Sequence, residues 1–100
     1  KRSRNPQFHR RAFVMMNRLH EMSDEEAAFD PWRKWLLIQA GYCTVTGFAN
    51  GTVRVEADSM TYESMDQEKF EACWRAIHQA FVDNYGSKLT YDQLTEWSTM

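Results

Sequence analysis

Residues 43–57, Cys43-Thr44-Val45-Thr46-Gly47-Phe48-Ala49-Asn50-Gly51-Thr52-Val53-Arg54-Val55-Glu56-Ala57, separate this chain from an all-helical protein. Cys43 to Thr46 alternates apolar and polar residues, and Val53 to Glu56 does the same. A period of two marks a strand. Asn50-Gly51 lies between the two runs, and Asn-Gly favours the type I′ turn that closes a β-hairpin. The stretch is therefore predicted to be a hairpin. Ser59 to Glu63 offers an optional third strand, with Met60 and Tyr62 on one face.

Outward from the hairpin the periodicity turns helical. Upstream, Asp30-Pro31 supplies a cap followed by a proline suited to a first helical position. The helix it opens runs through Trp32, Trp35, Leu36, Leu37 and Ile38 and stops at Gly41. It is apolar on more than one side, as expected of a central core helix. Ser23 to Asp30 is short and acidic, a connector or a helical turn. Before it, Asn5-Pro6 opens the first helix, where Phe8, Ala12, Met15, Met16, Leu19 and Met22 form one stripe. Arg10 and Asn17 lie opposite, and Gln7, Arg11 and Arg18 fill a flank. Arg4 falls just before the helix start.

Downstream, Ser64 and Gln67 suggest a capping box, with Asp66 as a competing cap. Phe70, Cys73, Trp74, Ile77, Phe81 and Tyr85 form the next stripe, with Glu68, Lys69, Glu71 and Arg75 toward water, and Gly86 ends it. Thr90 and Gln93 form a second box, opening a last helix anchored by Leu94 and Trp97. The expected fold is α+β in the order α-α-β-β-(β)-α-α. An antiparallel hairpin or three-stranded sheet packs against helices, and residues 1–100 form a single domain. No repeat or linker divides the chain.

The charge is unevenly placed. The first twenty residues carry six Lys/Arg and no acid, and the other eighty carry six Lys/Arg and fourteen Asp/Glu. The formal net charge of −2 thus hides a basic segment on an acidic body. Such a split suits a polyanion or an acidic partner. Four Trp and six Met furnish a small core or a partner surface. No apolar run reaches the roughly 18 residues of a membrane span. Cys43 and Cys73 have no metal or redox spacing and read as reduced core residues, which makes a cytoplasmic location the expectation.

Candidate chemistry is sparse. His9, His20 and His78 form no metal-binding spacing, so neither metal nor cofactor is expected. Cys73 and His78, five apart on one helix, point in different directions and make no nucleophile–base pair. No Gly-x-Ser-x-Gly elbow and no glycine-rich phosphate loop occurs. Enzyme activity is not expected.

The basic helix carries the functional expectation. Arg4, Arg10, Arg11 and Arg18 are the candidate phosphate contacts, with Gln7 and His9 as polar contacts and Phe13 as a stacking ring. The bland alternative pairs these arginines with the chain's own acids. A different class of function is inhibition of a host protein by an acidic surface, in which Glu21, Asp24, Glu25, Glu26 and Asp30 are densest. Exposed aromatics forming a homodimer are a third possibility.

Arg4-Asn5-Pro6-Gln7-Phe8-His9-Arg10 resembles the opening of a phage and prophage family with no assigned function, domain of unknown function 1367. Trp35 to Tyr42 resembles that family's W…EAGY stretch, Asn50 to Val53 its hairpin, and Ser59 to Phe70 its S-I-x-F-x-x-M-D-x-x-x-F segment. Members are usually longer, with an N-terminal strand region and an insertion after the first helix. By that measure this chain is a fragment or a compact relative. A weaker resemblance, to the lambdoid recombination mediator family Orf (NinB), rests on the basic helix over Arg4 to Phe13 and the Met65/Phe70 pair. Thr61 departs from that family's pattern. The kinship implies a phage or prophage accessory role in recombination, touching single-stranded DNA or the host nucleoprotein complex that holds it.

Overall fold

Four helices and one hairpin follow one another as α1 (Pro6–Ser23), α2 (Phe29–Gln39), β1 (Cys43–Gly47), β2 (Val53–Ala57), α3 (Gln67–Tyr85) and α4 (Tyr91–Ser98). The computed structural model describes residues 3–98, with side chains through residue 96. The fold is α+β, as the alternation and the helical stripes predict.

Helix α1 begins where Asn5 and Pro6 place it. The Asn5 side chain accepts from the N–H groups of Gln7 (2.9 Å) and Phe8 (3.2 Å). This satisfies two of the donors left over at a helix start. Ala12, Met15, Met16 and Leu19 are buried, while Met22, expected in the same stripe, is 49% exposed because α1 ends one residue later. Asp24 caps that end in the left-handed conformation (φ 56°). The turn into α2 is tied by His20, whose Nε2 lies 2.7 Å from the Ala27 carbonyl.

Helix α2 starts two residues earlier than Asp30-Pro31 predicts, with Ala28 at the cap position and no side-chain cap. Pro31 still lies in the first turn, where a missing N–H forfeits no intrahelical bond. Asp30 is turned instead toward Arg33, 3.6 Å away. Trp32, Leu36 and Leu37 are buried, so α2 is central as expected.

The hairpin pairs Cys43 with Ala57, Val45 with Val55 and Gly47 with Val53. Its tip differs from the type I′ expectation. Phe48 donates to the Thr52 carbonyl and Gly51 to the Phe48 carbonyl, both at 2.9 Å. Three residues therefore form the loop. Gly51 alone takes positive φ (87°), and Asn50 uses its side chain to accept from Thr52. This is the three-residue alternative, a tight turn closed by a left-handed glycine.

Ser59 to Glu63 forms no strand, and the sheet has two strands among the described residues. Met60 is buried and Tyr62 exposed, rather than sharing a face. The segment turns because the carbonyls of Met60, Thr61 and Met65 all converge on Arg4.

Of the two candidate caps of α3, Asp66 is used, accepting from Lys69 N–H at 2.9 Å. Gln67, expected in a box with Ser64, instead accepts from the Asn5 N–H at 2.8 Å and donates to Glu71. It thereby clamps the start of α1 to the start of α3. Phe70, Cys73, Trp74, Ile77 and Phe81 are buried as their spacing predicts. The Thr90–Gln93 box closes reciprocally, at 2.9 and 3.1 Å, and sets α4. Leu94 is buried, and the Trp97 side chain lies outside the described residues.

Candidate functional site

The basic segment divides into an inner and an outer set. Arg4 is inner. Its Nη1 donates to the carbonyls of Met60 (3.3 Å), Thr61 (3.1 Å) and Met65 (3.1 Å). Its guanidinium lies over Phe70 and Tyr62, 3.8 and 4.7 Å from the ring centres. Nε is buried with no partner among the described residues. Burial lowers its pKa from the ordinary arginine value. An arginine committed to three carbonyls and two rings is a structural residue, so the phosphate role expected for Arg4 is replaced by an architectural one.

His9 is also turned inward, away from its expected role as a surface polar contact. Its ring stacks on Phe13 (4.7 Å) and Phe70 (5.2 Å) and meets Tyr62 edge-on. Nδ1 receives Arg4 Nη2, and because arginine only donates, the histidine is neutral with its proton on Nε2. Burial first, and the Arg4 charge second, push its pKa below the ordinary value. Phe13 packs against the core beside His9, with the Arg33 guanidinium 5.8 Å from its ring, so it is not a free stacking platform.

Gln7, Arg10, Arg11 and Arg18 form the outer set, and all four are exposed on α1. Among the described residues none of the three arginines makes an ion pair. The acidic excess of the chain does not cover them. Glu21, Asp24, Glu25, Glu26 and Asp30 are exposed around the end of α1 and the turn into α2. There, Glu25 accepts from the Tyr85 hydroxyl (2.9 Å) and Asp30 lies beside Arg33. Glu21 shares a shallow surface hollow with Arg18 without pairing to it.

Arg11 also opens onto a groove of about 300 Å³ between α1, α3 and α4. Trp74, Arg75 and Tyr91 line it, and the Arg75 guanidinium lies 4.1 Å over the Tyr91 ring. Two guanidinium groups and aromatic walls suit a phosphate with a base beside it. The Glu71 carboxylate is in the same wall. By spacing alone Arg75 reads as a solvated-face residue, and Tyr91 merely lies between the capping residues Thr90 and Gln93. The groove joins three elements far apart in the chain, which no local spacing reveals.

A second cleft, of about 370 Å³, lies between α1, α2 and residues 57–61. Arg33 and Lys34 line it with His9. The Arg33 side chain is 15% exposed; its Nη1 reaches only the Met60 sulfur (3.8 Å), and its Nε has no hydrogen-bond partner among the described residues.

Nucleophilic chemistry has little to build on. Cys73 is fully buried, and burial pushes its thiol up to about 12. His78 is buried with Nε2 2.7 Å from the Leu89 carbonyl. Among the described residues no group of three His, Cys, Asp or Glu side chains is placed to hold a metal ion. No described helix is long and apolar enough to cross a membrane.

No curated protein and no solved structure matches the chain significantly. One family model does match, over residues 14–88. It spans the second half of α1, α2, the hairpin and α3, and it begins after the Arg4–Arg11 stretch that carries much of the basic charge. A match over three quarters of the chain shows membership: the chain belongs to the family described as "Protein of unknown function (DUF1367)".

Proposed function

We propose that this is a non-enzymatic phage or prophage accessory protein, acting in the cytoplasm of the bacterial host, that binds single-stranded nucleic acid or a nucleoprotein complex in recombination or replication. One observation carries the reading. Arg10, Arg11 and Arg18 stand exposed on one helix and remain unpaired with any described residue, although acids outnumber bases in the chain. Exposed arginines left without an acid partner keep their charge available to a phosphate. The Arg11–Arg75–Tyr91 groove beside them suits a nucleotide. The phage setting rests on the resemblance of Arg4 to Arg10, Trp35 to Tyr42, Asn50 to Val53 and Ser59 to Phe70 to a phage and prophage family. The recombination setting rests on the weaker resemblance of Arg4 to Phe13 and the Met65/Phe70 pair to the Orf (NinB) family.

Fluorescence anisotropy with a labelled single-stranded oligonucleotide at low salt tests the reading. Three phosphate contacts give a slope of about −2 for log affinity against log salt. Arg10→Glu with Arg11→Glu abolishes binding and leaves the circular dichroism spectrum unchanged. Binding that never appears at low salt, or that survives the double reversal, overturns it.

A second reading is inhibition of a host defence or replication protein through the acidic turn. It is favoured by a hollow in which Glu25 adjoins Pro31, Trp32 and the exposed Trp35. Acids beside an exposed tryptophan suit a basic protein surface. A host protein retained after nuclease treatment, and released by Glu25→Lys with Glu26→Lys, supports it over the first.

A further inference from the structure

The hairpin carries an apolar face off the core and leaves it bare. Cys43 and Ala57 at its base are partly buried, but Val45 and Val53 are each 63% exposed and Val55 is 45% exposed. A two-stranded ribbon of this kind has two open edges and is marginal alone.

The phase of its ladder shows what those edges present. Asp58 donates to the Tyr42 carbonyl and Phe48 to the Thr52 carbonyl. Hydrogen-bonded and non-hydrogen-bonded pairs alternate along an antiparallel ribbon. Arg54 and Glu56 therefore bond inward, across to Thr46 and Thr44. The N–H and C=O of Val53 and Val55 therefore point away from β1, and no backbone hydrogen bond outside the hairpin engages them among the described residues. Helix α2 packs on β2, and the one residue of that strand that is partly buried is Ala57.

The strand is also self-complementary. Let a second copy of β2 lie antiparallel along this edge, centred on Val55. Each Val55 then faces the other, and the two exchange both backbone bonds because both sets point outward. Arg54 of each copy faces Glu56 of the other. These are non-hydrogen-bonded positions, where facing side chains approach most closely. Within one chain Arg54 Nη2 and Glu56 Oε1 already lie 2.6 Å apart, with both side chains more than half exposed. The β1 edge has no such pattern: centred on Val45, it opposes only Thr44 and Thr46.

We propose that the protein forms a two-fold homodimer by pairing β2 with β2 of a second copy about Val55, giving one four-stranded antiparallel sheet. The inference is independent of the nucleic-acid reading. An edge of five residues buries less than the roughly 1,200 Å² of a stable interface, so the dimer is reversible and concentration-dependent.

Sedimentation equilibrium over a wide range of protein concentration tests this. The native chain shifts from monomer toward dimer mass as concentration rises. Arg54→Glu alone, or Glu56→Arg alone, places like charges opposite each other and weakens association by about tenfold or more. The double variant R54E/E56R restores it. An equimolar mixture of the two single variants associates better than either alone, because a strand with two carboxylates then meets a strand with two guanidinium groups. Val55→Pro removes an outward N–H, spares the hairpin's own ladder and gives a monomer. A monomer at every concentration overturns the proposal. So does a dimer that ignores both single charge variants, since it uses another surface.

Discussion

The guanidinium carbon of Arg4 lies 3.8 Å from the centre of the Phe70 ring, so a charged residue sits against the most buried aromatic of α3. The same group holds three carbonyls of the 60–65 turn and the His9 ring. Arg4→Ala leaves those carbonyls short of a donor and uncovers Phe70, which lowers stability by about 2–3 kcal/mol. Arg4→Lys recovers only part of the loss, because one ammonium cannot serve the carbonyls and His9 Nδ1 from two separate nitrogens and does not lie flat on a ring. Chemical denaturation of both variants measures this. A loss for Arg4→Ala within the ordinary surface range of about 0.5 kcal/mol would show that the network is incidental.

Arg4 also marks the limit of what the sequence could reveal. Local signals read well: Asn5 caps α1, Thr90 and Gln93 cap α4, and the alternation at 43–46 and 53–56 marks the strands. Each depends on neighbours within a few residues. The partners of Arg4 are nearly sixty residues away and are backbone carbonyls, which carry no sequence signature. The same carbonyls curl the segment that alternation offers as a third strand. Asn50-Gly51 marked the hairpin correctly but not its turn, because pairing Phe48 with Thr52 leaves three loop residues where two were expected. The exposure of Arg10, Arg11 and Arg18 followed from the helical wheel. The groove they border did not, since Arg75 and Tyr91 reach it from separate helices.

His9 gives stability a defined pH dependence. Its folded pKa is depressed by burial and by Arg4, whereas the unfolded chain titrates near the ordinary 6.5. Between the two values the unfolded state binds the proton and the folded state does not. The His9 contribution is therefore complete above 6.5, falls as pH drops through the unfolded value, and levels off below the folded one. The stability difference between the native chain and His9→Gln should narrow on mild acidification. A difference that widens would mean that the folded state prefers the charged imidazole.

The two thiols should separate cleanly. Cys73 is fully buried with a pKa near 12, while Cys43 is partly exposed at the base of the hairpin. Thiolate is the reactive form, so a disulfide reagent at mildly alkaline pH modifies one cysteine of the native protein. The second reacts only after denaturant is added. Cys43→Ser removes the fast thiol and leaves the slow one. Equal native rates for both would mean that α3 opens on the timescale of the reagent.

The turn between α1 and α2 is fastened to α3 through one hydroxyl. The buried Trp32 indole donates to Tyr85 Oη at 3.0 Å, and that hydroxyl donates onward to Glu25 at 2.9 Å. The two bonds are unequal. Trp32 is 2% exposed and has no water to turn to, whereas Glu25 is exposed and regains water when its partner leaves. Tyr85→Phe keeps the ring contacts with Phe81 and Trp35 but strands the indole N–H, and should lower stability by about 1–3 kcal/mol. Glu25→Gln should cost much less, and adding it to Tyr85→Phe should change stability little further. A Glu25→Gln loss as large as that of Tyr85→Phe would instead make the surface carboxylate the anchor. The acidic turn would then be held by its own charge rather than presented by the core beneath it.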